Sequence, residues 1–269
     1  MNLGDRMKMY ESQTTSTKLI AGLPILARLD GVGFSKFTNG LKRPYDERLS
    51  KLMIDTTKHL VKTFNANCGY TQSDEITLVF YTDNVDSQMY RGGKIYKLVT
   101  DFAGECTVFF NYNLRNIIPE KYDMMPRFDC RVWNVPTLME AVNCFVWREQ
   151  DAVKNSVSMA TREYYSHSEV ENKHGGDMQE MLFQKGINWS EDYCSHFKRG
   201  TYVQKKVKNG KMTIDEIDKL PPKHNARKNP DMEIKRSYVD TIDMPIITQL
   251  KNPVDVIIYG KDIKLNENN

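Results

Sequence analysis

Two short stretches of this sequence combine acids with residues that could hold a phosphate beside them. The first is Ile-Leu-Ala-Arg-Leu-Asp-Gly-Val-Gly-Phe-Ser-Lys-Phe, residues 25–37, where Arg28 and Asp30 share a face if the run is a strand. The run is expected to break at Asp30-Gly31, with a second glycine at Gly33. The second stretch is Gln72-Ser73-Asp74-Glu75, followed by the apolar run Ile76-Thr77-Leu78-Val79-Phe80-Tyr81. Magnesium is held by one or two protein carboxylates and takes the rest of its shell from water and substrate phosphates. Two such ions on Asp30 and Asp74 could polarise an attacking hydroxyl and neutralise a departing pyrophosphate, with the Gly31 carbonyl as a further ligand. Arg28, Lys36, Lys42 and Arg43 lie close in sequence to the first acid, as a bound triphosphate would require, and Ser73 offers a hydroxyl. Spacing alone favours a plainer reading, in which Asp-Gly and Ser-Asp-Glu are turn formers and the cations a solvated face.

Other chemistries find less support. The five histidines have no ligand spacing, and no HExxH or Gly-x-Ser-x-Gly pattern occurs. Five cysteines, at 68, 106, 130, 144 and 194, never form a CxxC pair, which points to reduced thiols in an intracellular protein. The composition, 40% hydrophobic and 27% charged, is that of a soluble globular chain. No apolar run is long enough to span a bilayer, and the N-terminus resembles neither a signal nor a transit peptide. Charge is uneven: residues 198–236 carry twelve Lys/Arg against five Asp/Glu, a local +7 in a chain of net +3. Such asymmetry suits a polyanion partner, or simply a solvated surface.

The elements that must position these residues follow from periodicity. Residues 3–11 suggest a short amphipathic helix with Leu3, Met7 and Tyr10 on one side. A strand is expected over 24–29, then a helical turn with Phe34 and Phe37. Pro44, Asp46 and Glu47 suit a helix start, and Leu49, Leu52, Met53, Thr56, Leu60, Val61 and Phe64 repeat at the helical period. Two strands, 69–73 and 76–81, flank a tight connection at Asp74-Glu75. A second helix is expected over 87–106 and a strand over 128–135. Thr137-x-x-Glu140 is a capping box for a further helix reaching about residue 165. The order strand, helix, strand, strand, helix, strand is that of an α+β, ferredoxin-like βαββαβ domain with an antiparallel sheet. Beyond it come a polar segment over 166–176, a helix over 177–184 stopped by Gly186, a hairpin over 201–212 turning at Asn209-Gly210, and a basic loop over 221–230.

The ordered set of blocks resembles the tRNA-His guanylyltransferase family. They are Arg28-Leu29-Asp30-Gly31-x-x-Phe34-x-x-Phe37, Pro44-x-Asp46-x-Arg48-Leu49-x-x-Leu52-Met53, Gln72-Ser73-Asp74-Glu75, Phe128-Asp129-x-Arg131-Val132, Trp147-Arg148-x-x-Asp151 and Lys198-Arg199-Gly200-Thr201. The resemblance spans about residues 3–205 and implies a polymerase-like palm that works 3′-to-5′, adding nucleotides to the 5′ end of tRNA. It implies activation of the 5′ end by ATP or GTP, then attack by the 3′-hydroxyl of an incoming nucleotide, with two Mg2+ ions. By the same resemblance Asp30, Gly31 and Asp74 are metal ligands, and Asp30 and Asp74 are the catalytic pair. Asp30, Gly31, Val32, Gly33, Phe34, Ser35, Ser73 and Asp74 would lie along the nucleotide. Arg43 stands where the family usually has a phosphate-binding lysine, Asn155 is carried over as a nucleotide contact, and Glu75 is a supporting acid. A homotetramer, a dimer of dimers with tRNA crossing subunits, and a cytoplasmic location are also implied.

One block departs from the family. After Trp147-Arg148-x-x-Asp151, the family's guanylyltransferases proper carry His-Ile-Asn-Asn-Leu-Tyr-Asn. Here Val153-Lys154-Asn155-Ser156-Val157-Ser158-Met159 retains only Asn155. The chain therefore looks more like the divergent branch that resembles a templated 5′-end repair polymerase. Domain boundaries are expected at 1–136 for a palm-like catalytic core and 137–269 for a helical and hairpin extension that contacts tRNA and packs on the core. Two other readings remain, a palm-fold nucleotide cyclase and a non-catalytic RNA-binding protein. The basic C-terminal third speaks against the first. The paired acids speak against the second, because buried carboxylates are costly to hold without a cation.

Overall fold

Helix α1 spans Leu3–Thr15 and is followed by strand β1, Ile25–Val32, the one-turn helix α2, Phe34–Phe37, and helix α3, Glu47–Phe64. Strands β2, Cys68–Gln72, and β3, Glu75–Phe80, lead to helix α4, Ile95–Ile117, strand β4, Arg127–Asn134, and helix α5, Leu138–Thr161. Short helices α6, His167–Val170, α7, Gly175–Gln184, α8, Trp189–Asp192, and α9, Ser195–Arg199, precede strand β5, Thr201–Lys211. The chain ends with α10, Ile214–Asp218, α11, Asn225–Lys228, strand β6, Glu233–Ile242, and α12, Pro253–Tyr259. This is a computed structural model that describes residues 1–84 and 86–266; the last three residues of the expected extension lie outside the described residues.

The six strands among the described residues join one antiparallel sheet in the order β4-β1-β3-β2-β5-β6. Side chains alternate across it, so each face has its own core. Ala27, Leu29, Ile76, Leu78 and Val203 face α3 and α4, meeting Leu52, Met53, Leu60, Phe102 and Phe110. Leu26, Cys68, Tyr70, Val79 and Tyr202 face α5 and α12, meeting Val142, Phe145, Val256 and Ile257. The expected α+β class and the antiparallel sheet are therefore present. Helix α3 starts where its sequence signals place it, with the Asp46 carboxylate accepting the Arg48 amide at 3.0 Å, and ends at Asn65 in the left-handed region.

Several expectations need correction. β1 does not break at Asp30-Gly31. It continues to Val32 because Gly31 pairs with Phe128 and Val32 with Arg127, and the turn falls at Gly33, φ 70°. The helix expected over 87–106 is α4, displaced toward the C-terminus. Arg91, Gly92 and Gly93, all at positive φ, turn the chain ahead of it, while Phe102, Cys106, Phe110 and Leu114 carry its buried stripe on past 106. The hairpin at Asn209-Gly210 does not form. β5 runs straight through both residues, which pair with Lys235 and Ile234 of β6. Tight hairpin turns need positive φ, which Gly210 lacks, so the reversal is made instead by residues 212–232 with α10 and α11. The polar segment over 166–176 contains α6, capped reciprocally by Ser166 and Glu169. Helix α1 extends past residue 11 to Thr15 and buries no residue, so the stripe of Leu3, Met7 and Tyr10 stays exposed.

Candidate active site

The strand register assembles the acids. Asp30 lies directly opposite Glu75 on β3 and Asp129 on β4. Residues opposite one another in an antiparallel pair project to the same face, with Cβ atoms about 5 Å apart. Because Leu26 and Val79 face α5, Arg28, Asp30, Glu75 and Asp129 face that side as well. Asp74 sits in the two-residue connection from β2 to β3, after Ser73 at φ 50°, and the Ser73 hydroxyl donates to its Oδ1 at 3.1 Å. Burial raises the Asp74 carboxyl above its ordinary range, and the Asp30 charge adds to the effect.

Gly31 explains how the strand end holds this position. A Cβ there would lie 2.2 Å from the Phe34 ring. That ring is buried and packs on Phe37, Phe128 and Phe110 with centroids 4.9, 5.1 and 5.8 Å away. The segment after Asp30 is thus pinned by an aromatic cluster that only a glycine lets close over the strand.

Beside the acids opens a cleft of about 440 Å3 between α3 and α5. Ser35, Lys42, Arg43, Ser73 and Asn155, all singled out from sequence, line it together. Asp30, Gly31, Val32, Gly33, Phe34 and Asp74 are not part of its lining, although Asp74 directly follows Ser73. The Phe34 side chain belongs to the core, and Val32 is exposed at the strand end.

The cleft also has walls that sequence reasoning missed. The Tyr45 ring stacks on Phe197 at 4.6 Å, and a hydrogen bond with Cys194, aided by burial, pushes its hydroxyl up to about 12. His196 is lowered to about 4 by burial and shares a hydrogen bond with the Thr201 hydroxyl, so it stays neutral at physiological pH. Arg162 is also part of the lining. Position beside Pro44, and directly before Lys198-Arg199-Gly200-Thr201, were the only signals for Tyr45, His196 and Phe197.

Glu75 is bound differently from its neighbour. Its Oε1 accepts from Arg148 Nε at 2.6 Å, and its Oε2 lies 3.9 Å from Arg28 Nε. Burial raises its carboxyl, opposed by the Arg148 charge. Arg28 also lies over the Trp147 ring, 5.2 Å from its centroid, and is not part of the cleft lining.

A divalent cation fits the remaining pair. Among the described residues neither Asp30 nor Asp74 takes part in a salt bridge, although the two charges repel each other. No group of three or more His, Cys, Asp or Glu side chains forms a metal cage among the described residues. Two hard carboxylates with open positions are a donor set that suits magnesium, which keeps much of its shell for water and phosphate.

Comparison with known proteins gives the family. A sequence model of the family described as tRNAHis guanylyltransferase matches residues 4–136. A tRNA(His) guanylyltransferase of Debaryomyces hansenii is 31% identical over 196 residues, covering 66% of this chain and 72% of that protein. A bacterial tRNA(His) guanylyltransferase-like protein, solved in complex with ATP, is similar with a TM-score of 0.78 and 29% identity, covering 96% of this chain and all of that one. Such a protein solved in complex with GTP has a TM-score of 0.73 and 28% identity, covering 96% and 99% of the two chains. The likeness covers two thirds of the chain in sequence and almost all of it in structure, and the chain belongs to the tRNAHis guanylyltransferase family.

Proposed function

We propose that this enzyme adds nucleotides to the 5′ end of tRNA in the 3′-to-5′ direction, after activating that end with ATP or GTP. The observation that carries the reading is the acid pair Asp30 and Asp74 standing beside a cleft walled by Ser35, Arg43, Ser73 and Asn155. The β4-β1-β3-β2 order with α3 and α4 on one face supports a ferredoxin-like palm. We assign residues 1–136 to this catalytic core and 137–269 to an extension packed on it. The ATP and GTP complexes of the bacterial neighbours support both nucleotides as substrates.

Each residue has a task set by its place. Arg43 and Ser73 line the cleft where the phosphates would lie, Arg43 as the cation. Gly31 leaves room for the Phe34 ring that pins the strand end, and its carbonyl would join Asp30 and Asp74 in holding Mg2+. Two magnesium ions bound there would polarise the attacking hydroxyl and neutralise the departing pyrophosphate. Neutral His196 and the Tyr45–Phe197 stack exclude water from one wall of the cleft. The retention of Asn155 alone within residues 153–159 favours templated 5′-end repair over addition restricted to tRNA-His. A homotetramer, RNA contact by the basic segment 198–236 and a cytoplasmic site of action complete the reading. No helix among the described residues is long and apolar enough to cross a membrane.

The test uses a 5′-monophosphorylated tRNA lacking its first nucleotide, with ATP, GTP and magnesium. Templated growth at the 5′ end, lost in Asp30→Ala and Asp74→Ala, is the expected result. Cyclic nucleotide formed without RNA extension, or tight tRNA binding with no product, would overturn the reading.

A further inference from the structure

A chain of hydrogen bonds joins the two halves of the site. Glu75 Oε1 accepts from Arg148 Nε at 2.6 Å, and Arg148 Nη2 donates to Asp151 Oδ2 at 2.9 Å. The same Asp151 oxygen accepts from Asn155 Nδ2 at 3.1 Å. Its two ends reach different places. Glu75 follows Asp74 and faces Asp30 across the β1–β3 ladder, whereas Asn155 lines the cleft. The middle of the chain is fixed: Arg148 is 7% exposed, and its guanidinium lies over the Trp147 ring at 4.5 Å. Trp147 also carries Arg28, which approaches the second oxygen of Glu75, so both oxygens of that carboxylate face guanidinium groups.

We propose that Arg148 is a positioning residue that sets the Asp74 strand end through Glu75 and the Asn155 amide through Asp151, making nucleotide contact and acid pair one rigid unit. This rests on the reading that the cleft takes a nucleoside triphosphate. The physical basis is the planar guanidinium fork, which holds two carboxylates at fixed angles while its charge keeps both from approaching a cation site. Glu75 is accordingly a strut and leaves the metal to Asp30 and Asp74. Helix α5 supplies Arg148, Asp151 and Asn155 at spacings of three and four, which puts all three on one helical face. A lysine keeps the charge at 148 but, as a single point donor, cannot span both acids.

The experiment measures three quantities on the full chain and on Arg148→Lys, Asp151→Asn and the double variant. They are ATP affinity by calorimetry without magnesium, Mn2+ affinity by electron paramagnetic resonance without nucleotide, and the rate of a single round of 5′ addition. The expectation is that Arg148→Lys, with charge unchanged, weakens ATP and Mn2+ binding together. It also slows addition by about tenfold or more, as lost positioning does. Asp151→Asn, which leaves the buried Glu75–Arg148 pair intact, weakens ATP binding and adds nothing in the Arg148→Lys background. Effects of the two changes that multiply, or Mn2+ affinity untouched by Arg148→Lys, would overturn the proposal. If Arg148→Lys does not fold, Asp151→Asn decides: ATP affinity equal to that of the unaltered chain overturns the coupling. An unaltered chain that fails to bind ATP at all defeats the reading of the cleft instead.

Discussion

Asp74 is a carboxylate whose charge the fold disfavours, through burial first and through the neighbouring Asp30 second. A folded-state carboxyl pushed above its unfolded value makes the ionised protein less stable as pH rises past that unfolded value. A divalent cation reverses the balance, because ligand that binds only the folded state stabilises it by mass action. Magnesium at millimolar concentration should therefore raise the melting temperature of the native chain by a few degrees, on the order expected for 1 kcal/mol in a chain of this size. Asp74→Asn should melt higher than the native chain in EDTA and gain nothing from magnesium; differential scanning fluorimetry reads both. Gly31 gives a second test at this scale. A methyl group there meets a Phe34 ring that Phe37, Phe110 and Phe128 hold in place, so Gly31→Ala should cost about 1–3 kcal/mol in a urea titration. Asp30, Asp74 and Arg43 stood out in the sequence by residue type, whereas Asn155 entered only through the family resemblance. Tyr45, His196 and Phe197 did not stand out, since a stacked ring and a desolvated imidazole acquire meaning only from the fold around them.

At the scale of elements, helix α3 sets the mouth of the cleft, and its first turn depends on Asp46. That carboxylate accepts the Arg48 amide at 3.0 Å and the Arg48 guanidinium at 2.9 and 3.1 Å. The Arg48 hydrogen bond holds it down to about 2. A carboxyl lowered in the folded state contributes stability that is full above its unfolded value, near 4, and is lost as pH falls through about 2. Asp46→Ala should thus lower stability by about 1–2 kcal/mol at neutral pH, as loss of a helix cap does. The gap between variant and native chain should close as pH is taken from 4 toward 2, as thermal melts across that range would show. A gap that stays constant would mean the cap acts through packing alone. This helix was legible because its cap, stripe and stop are all local. The bounds of α4 were not, because the turn at Arg91-Gly92-Gly93 lies inside the segment expected to be helical and the stripe continues past Cys106.

For the whole molecule, the decisive feature is that β5 and β6 lengthen the same sheet that carries the acids. Local turn chemistry at Asn209-Gly210 suggested a separate hairpin, whereas the pairing that forms joins residues 201–211 to 233–242 across two short helices. Past Gln204 this ribbon is mostly exposed, with Lys206 and Lys208 at alternate positions on one side of β5 and Lys208 over the Tyr238 ring. Lysines on a two-stranded edge have two physical uses. They discourage pairing with another chain, or they track a phosphate backbone. The local charge of +7 in residues 198–236, on a sheet that leads back to the acid pair, favours the second use. Replacing Lys206 and Lys208 together by alanine should weaken tRNA binding and flatten the slope of log affinity against log salt by about one per lysine. ATP affinity, measured in parallel, should stay unchanged, because neither residue lines the cleft. An unaltered salt slope, accompanied by concentration-dependent aggregation of the variant, would assign the lysines to edge protection and move the RNA path to another face of the sheet.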